Sequence, residues 1–144
     1  MINSMINPYE IVSKSALPAL RAMISRRLRE RYDLTQKEIA IRLGVTQASV
    51  SNYERKARGV MLNLEIDPAL AKGADRVATL LATNDADQIE ILRTMTEMCD
   101  YIRFNHLMCN LHRDLDPGFV IEGCDACNGL LTLREFERLK TISG

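Results

Sequence analysis

Apolar residues recur at helical spacing through most of this chain. Leu17, Leu20, Ala22, Met23, Ile24 and Leu28 make one stripe, and Arg21, Arg26, Arg27, Arg29 and Arg31 fall largely off it. Pro18 suits the first turn of that helix, which is expected to end near Tyr32-Asp33. Upstream, Pro8 opens a short separate helix with Tyr9, Ile11 and Val12, after a loose start over residues 1–7. Leu62, Leu64 and Ile66 alternate with polar residues, the pattern of a short strand or extended segment. Asp67-Pro68 is a cap followed by a first-turn proline. It starts a helix that runs to about Leu81, with Leu70, Val77, Leu80 and Leu81 inward. Thr83-Asn84-Asp85 breaks the chain, and a further helix from about Ala86 is expected to turn Ile89, Leu92, Met95 and Ile102 inward. A short amphipathic helix is expected from Thr132 to about Ile142, carried by Leu133, Phe136 and Leu139.

Residues 35–59 carry the densest pattern. Thr35 with Glu38 three residues on is a capping box. Ile39, Ala40 and Leu43 share a face, and Gly44 stands where a tight turn needs positive φ. Val45 is a small apolar plug. Thr46 caps a second helix whose inward residues are Val50 and Tyr53. Ala40 has no bulk, so the second helix can cross closely over the first. This is the helix-turn-helix arrangement, in which the second helix enters the DNA major groove. Its outward residues are Gln47, Ala48, Ser49, Ser51 and Asn52. Amide side chains pair with adenine edges and an alanine methyl meets a thymine methyl. With Thr46 at the start of that helix and Arg55 and Lys56 at its end, they make the candidate DNA-binding set. The competing reading is an ordinary helical hairpin with a polar outer face.

Charge favours nucleic acid. The net charge is zero, yet residues 14–58 hold eleven Lys or Arg against four acids, so this half is +7 and the remainder −7. The basic face has no interleaved aromatic residues, which counts against single-stranded nucleic acid. No paired carboxylates or phosphate loop can be found, so an enzyme is not expected. No apolar run spans a bilayer and no signal-peptide pattern opens the chain, so a cytoplasmic protein without membrane contact is expected.

All four cysteines lie between residues 99 and 127. In a reducing compartment such clustering suggests metal or redox chemistry before disulfides. Cys109 and His112 are three apart, as are Cys124 and Cys127. A turn at Asp116-Pro117-Gly118 can bring the pairs together as four tetrahedral zinc ligands. Cys99 precedes Cys109 by ten residues, about 15 Å on an unbroken helix. It can join only if the helix breaks near Phe104-Asn105-His106. Four cysteines would then make an iron–sulfur cluster the alternative to zinc. Otherwise Cys99 is a small core residue, and His106 is read as a surface or core histidine.

The stretch Asn7-Pro8-Tyr9-Glu10-Ile11-Val12, Leu17 to Ala22, Leu34-Thr35-Gln36 and Gly44 to Ser51 resembles archaeal predicted transcriptional regulators with a phage-repressor (XRE) type helix-turn-helix and a Cys-rich C-terminal segment. The resemblance is looser between residues 60 and 98. It implies that Gln47 reaches a base edge, that Gln36 bonds a phosphate and braces Gln47, and that the protein is a homodimer on a two-fold operator. The expected fold is mainly α, in three parts. A helix-turn-helix DNA-binding bundle (1–66) leads into a helical linker or dimerisation segment (67–105) and then a small Cys/His metal-binding module (106–144). The expected function is sequence-specific binding of double-stranded DNA in transcription regulation, with a metal-stabilised C-terminal module. The alternative is an iron–sulfur or metal-responsive redox sensor.

Overall fold

The apolar stripe between residues 17 and 28 becomes the axis on which the other helices pack. The computed structural model describes residues 5–55, 62–83 and 87–127. Its helices are α1 (Pro8–Ile11), a π turn (Val12–Ala16), α2 (Leu17–Tyr32), α3 (Gln36–Leu43), α4 (Gln47–Arg55), α5 (Pro68–Ala82), α6 (Gln88–Phe104) and α7 (Cys109–Leu115). The helix expected over Thr132–Ile142 lies outside the described residues.

Helices α1 and α2 are not separate. Residues 8–32 run as one helix, widened at the π turn, where the Leu17 N–H donates to the Val12 carbonyl. The cause is Pro18. Its ring presses on the carbonyl four residues back, here Lys14, and a wider turn relieves that contact without ending the helix. Asp33, in the left-handed region at φ 54°, ends α2.

Helix α2 packs on α3, α4 and α5 together. Leu20, Ile24 and Leu28 are fully buried there, each contributing roughly 1.5–3 kcal/mol. Arg27 departs from the sequence expectation, because it is buried rather than on the solvent face. It donates to Glu65 (2.8 and 3.0 Å), to Asp75 and to the Met23 carbonyl (3.0 Å). The hydrogen bond to Glu65 holds that carboxyl below its usual range, and the Arg27 bond does the same for Asp75. This buried fork clamps α5 and the 62–66 segment onto α2.

Residues 62–64 take no regular secondary structure and form no strand among the described residues, and Glu65-Ile66 form a turn. Leu62 and Leu64 are buried as their alternation implies, whereas Ile66 is exposed. Asp67 caps α5 by accepting from Ala69 N (2.9 Å) and Leu70 N (3.2 Å). Helix α5 faces α6 closely at Gly73, where a Cβ would stand 2.8 Å from Met98 Sδ.

In α6, Met95 and Ile102 face inward as expected, but the start of the face differs. Ile89 and Leu92 point outward, and the inward line runs through Ile91, Met95, Met98 and Ile102. That line keeps the four-, three- and four-residue steps of a helix face. The expected set drifts off any single face before Ile102. The core is one contiguous cluster, from Ile11 to Cys127.

Candidate functional site

Local chemistry sets the helix-turn-helix. Glu38 N donates to Thr35 Oγ1 (3.2 Å) and Thr35 N donates to Glu38 Oε2 (2.7 Å), so the capping box is closed in both directions. The bond from the Thr35 backbone lowers the pKa of Glu38. Gly44 takes φ 67°, and its N–H and that of Val45 cap the end of α3. Thr46 Oγ1 accepts from Ser49 N at 3.1 Å and opens α4. Ile39 and Val50 are fully buried, Ala40 is 6% exposed at the crossing, and Tyr53 is half-buried.

One face of α4 is left to solvent. Gln47, Ala48, Asn52 and Arg55 are exposed and Ser51 is half-exposed, at positions that repeat with the turn of the helix. Ser49 lies off this face and its hydroxyl meets Thr46 Oγ1 at 2.9 Å. Arg55 donates to Asn52 Oδ1 at 2.8 Å, so these two side chains lie together. Gln36 Nε2 donates to Glu54 Oε2 at 2.7 Å. Gln36 therefore braces the far end of α4 through Glu54, a partner the sequence did not single out. Lys56 lies outside the described residues.

Much of the basic excess of α2 is spent on the fold rather than on a partner. Arg26 pairs with Glu65 and Arg31 with Asp75, at 3.0 and 2.9 Å, and Arg29 pairs with Glu54 at 3.5 Å. Arg42 donates to the Leu81 carbonyl. Lys37, exposed on α3, and Arg55 are the cations left beside the helix-turn-helix face among the described residues.

The cysteine segment follows α6 in the chain. Cys109, Cys124, Cys127, His106 and His112 line one cleft of about 360 Å³, closed on one side by residues 5–8. Asp116, buried, accepts from Ile6 N at 3.4 Å and ties the two ends of the described chain together. Burial first, then the neighbouring Cys127 and Cys124, push the Cys109 thiol up. His112 stacks on Phe119 with 4.0 Å between centroids, and its buried Nε2 has no hydrogen-bond partner. Cys109 Sγ lies 3.5 Å from His106 Nδ1. His106 stands at φ 57° in the break after α6. The His106-x2-Cys109 spacing is the signal that marks it in the sequence. Among the described residues, no three His, Cys, Asp or Glu side chains converge tightly enough to hold a metal ion. The donors are gathered around a cleft but not drawn to a point.

Cys99 is not at that cleft. The helix does break after Phe104, the condition for Cys99 to join, but Cys99 is buried five residues earlier, in the wall of a different cleft against α2 and α5. Burial pushes its thiol up to about 11. A place for Cys99 among the cluster ligands is thus not what the fold provides. α6 carries Cys99 toward the core before the chain turns toward Cys109.

No described helix is long and apolar enough to cross a membrane. No curated protein and no solved structure matches the chain. Residues 26–63, the end of α2 with α3 and α4, match the family model described as helix-turn-helix (HTH_3), so the chain carries an XRE-type helix-turn-helix domain of the kind found in DNA-binding transcription regulators.

Proposed function

We propose that the protein is a sequence-specific regulator that reads double-stranded DNA with α4, acts as a cytoplasmic homodimer and carries a metal-stabilised C-terminal module. The observation that carries the DNA reading is the solvent-facing side of Gln47, Ala48, Ser51, Asn52 and Arg55, bonded outside itself to no other element among the described residues and held on a helix whose buried side and cap are complete. Gln47 and Asn52 are suited to adenine edges and Ala48 to a thymine methyl. Thr46, Ser49 and Gln36 stand at helix starts, where hydroxyl, amide and backbone N–H groups meet phosphates. Arg55 and Lys56 would add phosphate contacts. A homodimer places two α4 helices one DNA turn apart. The outward Ile89 and Leu92 of α6 support such a self-contact.

The test is selection of bound sequences from random duplex DNA, followed by Gln47→Ala. Affinity for the selected site should fall about ten- to hundred-fold, a bidentate base contact being worth roughly 1–3 kcal/mol. Affinity for random duplex should hardly change. Equal losses on both would remove Gln47 from base contact.

For the C-terminal module, Cys109, Cys124, Cys127 and His112 would hold zinc. The partnerless buried Nε2 of His112 and the gathering of three thiols support this set. A bound ion would supply the crosslink that a segment with so few buried apolar residues needs. Cys124→Ser should lower zinc content and loosen residues 105–127, and His112→Ala should act alike. Zinc lost from His106→Ala but kept in His112→Ala would make His106 the fourth ligand. The iron–sulfur alternative needed Cys99 as a ligand and has no observation in its favour.

A further inference from the structure

Between the α1–α2 helix, α3, α5 and α6 lies a second cleft, of about 440 Å³. It is separate from both the α4 face and the cysteine cleft. Its lining is largely apolar, with Val12, Leu17, Leu43, Val77, Ile91 and Met95. Into this apolar surface project three guanidinium-bearing residues, Arg21, Arg42 and Arg103, and one carboxylate, Asp100.

The charges do not balance. The Arg103 side chain is only 11% exposed, and its one carboxylate partner is Asp100, to whose Oδ1 its Nη1 donates over a long 3.5 Å. Its Nε is buried without a hydrogen-bond partner, while the guanidinium lies 4.6 Å from the Tyr9 ring centre. Arg21 has no carboxylate within ion-pair distance among the described residues. Arg42 is anchored by the Leu81 carbonyl. A buried donor without a partner is destabilising, more so when it is charged. A planar guanidinium is best answered by a carboxylate. An apolar pocket of this size with a few unanswered polar groups has the form of a small-molecule site.

We propose that this cleft binds a small amphipathic monoanion, a medium-chain carboxylate whose apolar body lies against Leu17, Val77 and Met95 and whose carboxylate is held by Arg103 and Arg21. Three guanidiniums against the single Asp100 carboxylate leave the cleft positive, which favours an anion and selects against a cation. Because Arg42 and Leu43 belong to α3, an occupied cleft touches the helix-turn-helix directly. The binding does not depend on DNA recognition and stands or falls apart from it, although Leu92 of the proposed self-contact also lines this cleft.

The experiment is calorimetric titration of the full-length protein with octanoate, octan-1-ol and octylammonium. Octanoate should bind at least about ten-fold tighter than either analogue, the charged hydrogen bond being the difference. Arg103→Gln should remove that preference and leave octanol binding unchanged. Arg21→Gln, on the half-exposed side of α2, should reduce it and serves where Arg103→Gln does not fold. Equal binding of all three ligands, no octanoate binding in the millimolar range, or glutamine variants that fold and still prefer octanoate would each overturn the proposal. Octanoate binding that appears only as the protein is diluted to monomer would assign the cleft to a second copy and overturn it equally.

Discussion

The helix-turn-helix and the cysteine segment hold their shapes by different means. In residues 35–55 every turn is closed by its own neighbours. Thr35 and Glu38 exchange hydrogen bonds, Gly44 takes the left-handed conformation, and Thr46 caps α4. Ile39 and Val50 then lock the two helices over α2 with no exposed surface. In residues 105–127 the only regular element is α7, seven residues long. His106 and Gly123 take positive φ, and the buried apolar side chains are Met108, Leu111 and Cys127. Three thiols and two imidazoles face one cleft instead. A short segment can be shaped by packing and caps, or by a crosslink. The first region has the former in full, and the second has the donors for the latter.

The sharpest way to break this comparison is to hollow the first region. Ile39→Ala should cost about 2–5 kcal/mol of global stability, the range for a buried Ile truncated to Ala. Urea unfolding measures it, and a loss below about 1 kcal/mol would mean that α3 is not part of the cooperative core. Next comes the fork beneath it. Arg27→Ala should cost about 2–3 kcal/mol, less than a fully buried pair because Glu65 and Asp75 keep contact with water.

The same fork has a pH signature. Glu65 and Asp75 sit below their ordinary range when folded. Their contribution is complete above the ordinary carboxylate pKa of about 4 and is lost as pH falls through the folded values. The melting temperature should therefore be flat near neutral pH and fall below about pH 4.5, with a shallower fall in Glu65→Gln. An equally steep fall in that variant would place the acid sensitivity elsewhere.

Smaller still is the cap. Thr35→Ala should cost about 1 kcal/mol and speed hydrogen exchange at the Glu38 amide, leaving residues 105–127 unchanged. The smallest effect separates the two kinds of cysteine. With its thiol near 11, Cys99 should resist iodoacetamide at neutral pH in the folded, chelator-treated protein, and label only after denaturation. Prompt labelling of Cys99 would place it outside the core.

The legible parts of this fold are those coded over a few residues. The capping box, the left-handed glycine, the caps at Thr46 and Asp67 and the span of α5 are all found where the local pattern put them, because each depends on atoms within one turn. The Pro18 signal was local too, but its outcome was not. The proline was absorbed by a π turn inside a continuous helix because the apolar residues on both sides share one core. Periodicity placed Met95 and Ile102 of α6 inward correctly but misplaced the first turns, since Ile89 and Leu92 carry the same apolar character as Ile91 and Met98. Only the packing of α5 at Gly73 against Met98 selects between them.

By itself, then, the sequence determined that this is a helical chain with an XRE-type helix-turn-helix and a polar, amide-bearing face on its second helix. It also determined that Cys109 and His112, and Cys124 and Cys127, stand three residues apart, with Cys99 outside these pairs. Only the tertiary structure decided which arginines are committed to carboxylates, that Gln36 leans on Glu54, that Cys99 belongs to the core, and that Arg21, Arg42 and Arg103 come together around an apolar cleft. The reason is range. Caps and turns act between residues a few positions apart. Burial and charge pairing join residues such as Arg27 and Asp75, forty-eight positions apart, whose meeting no local pattern encodes.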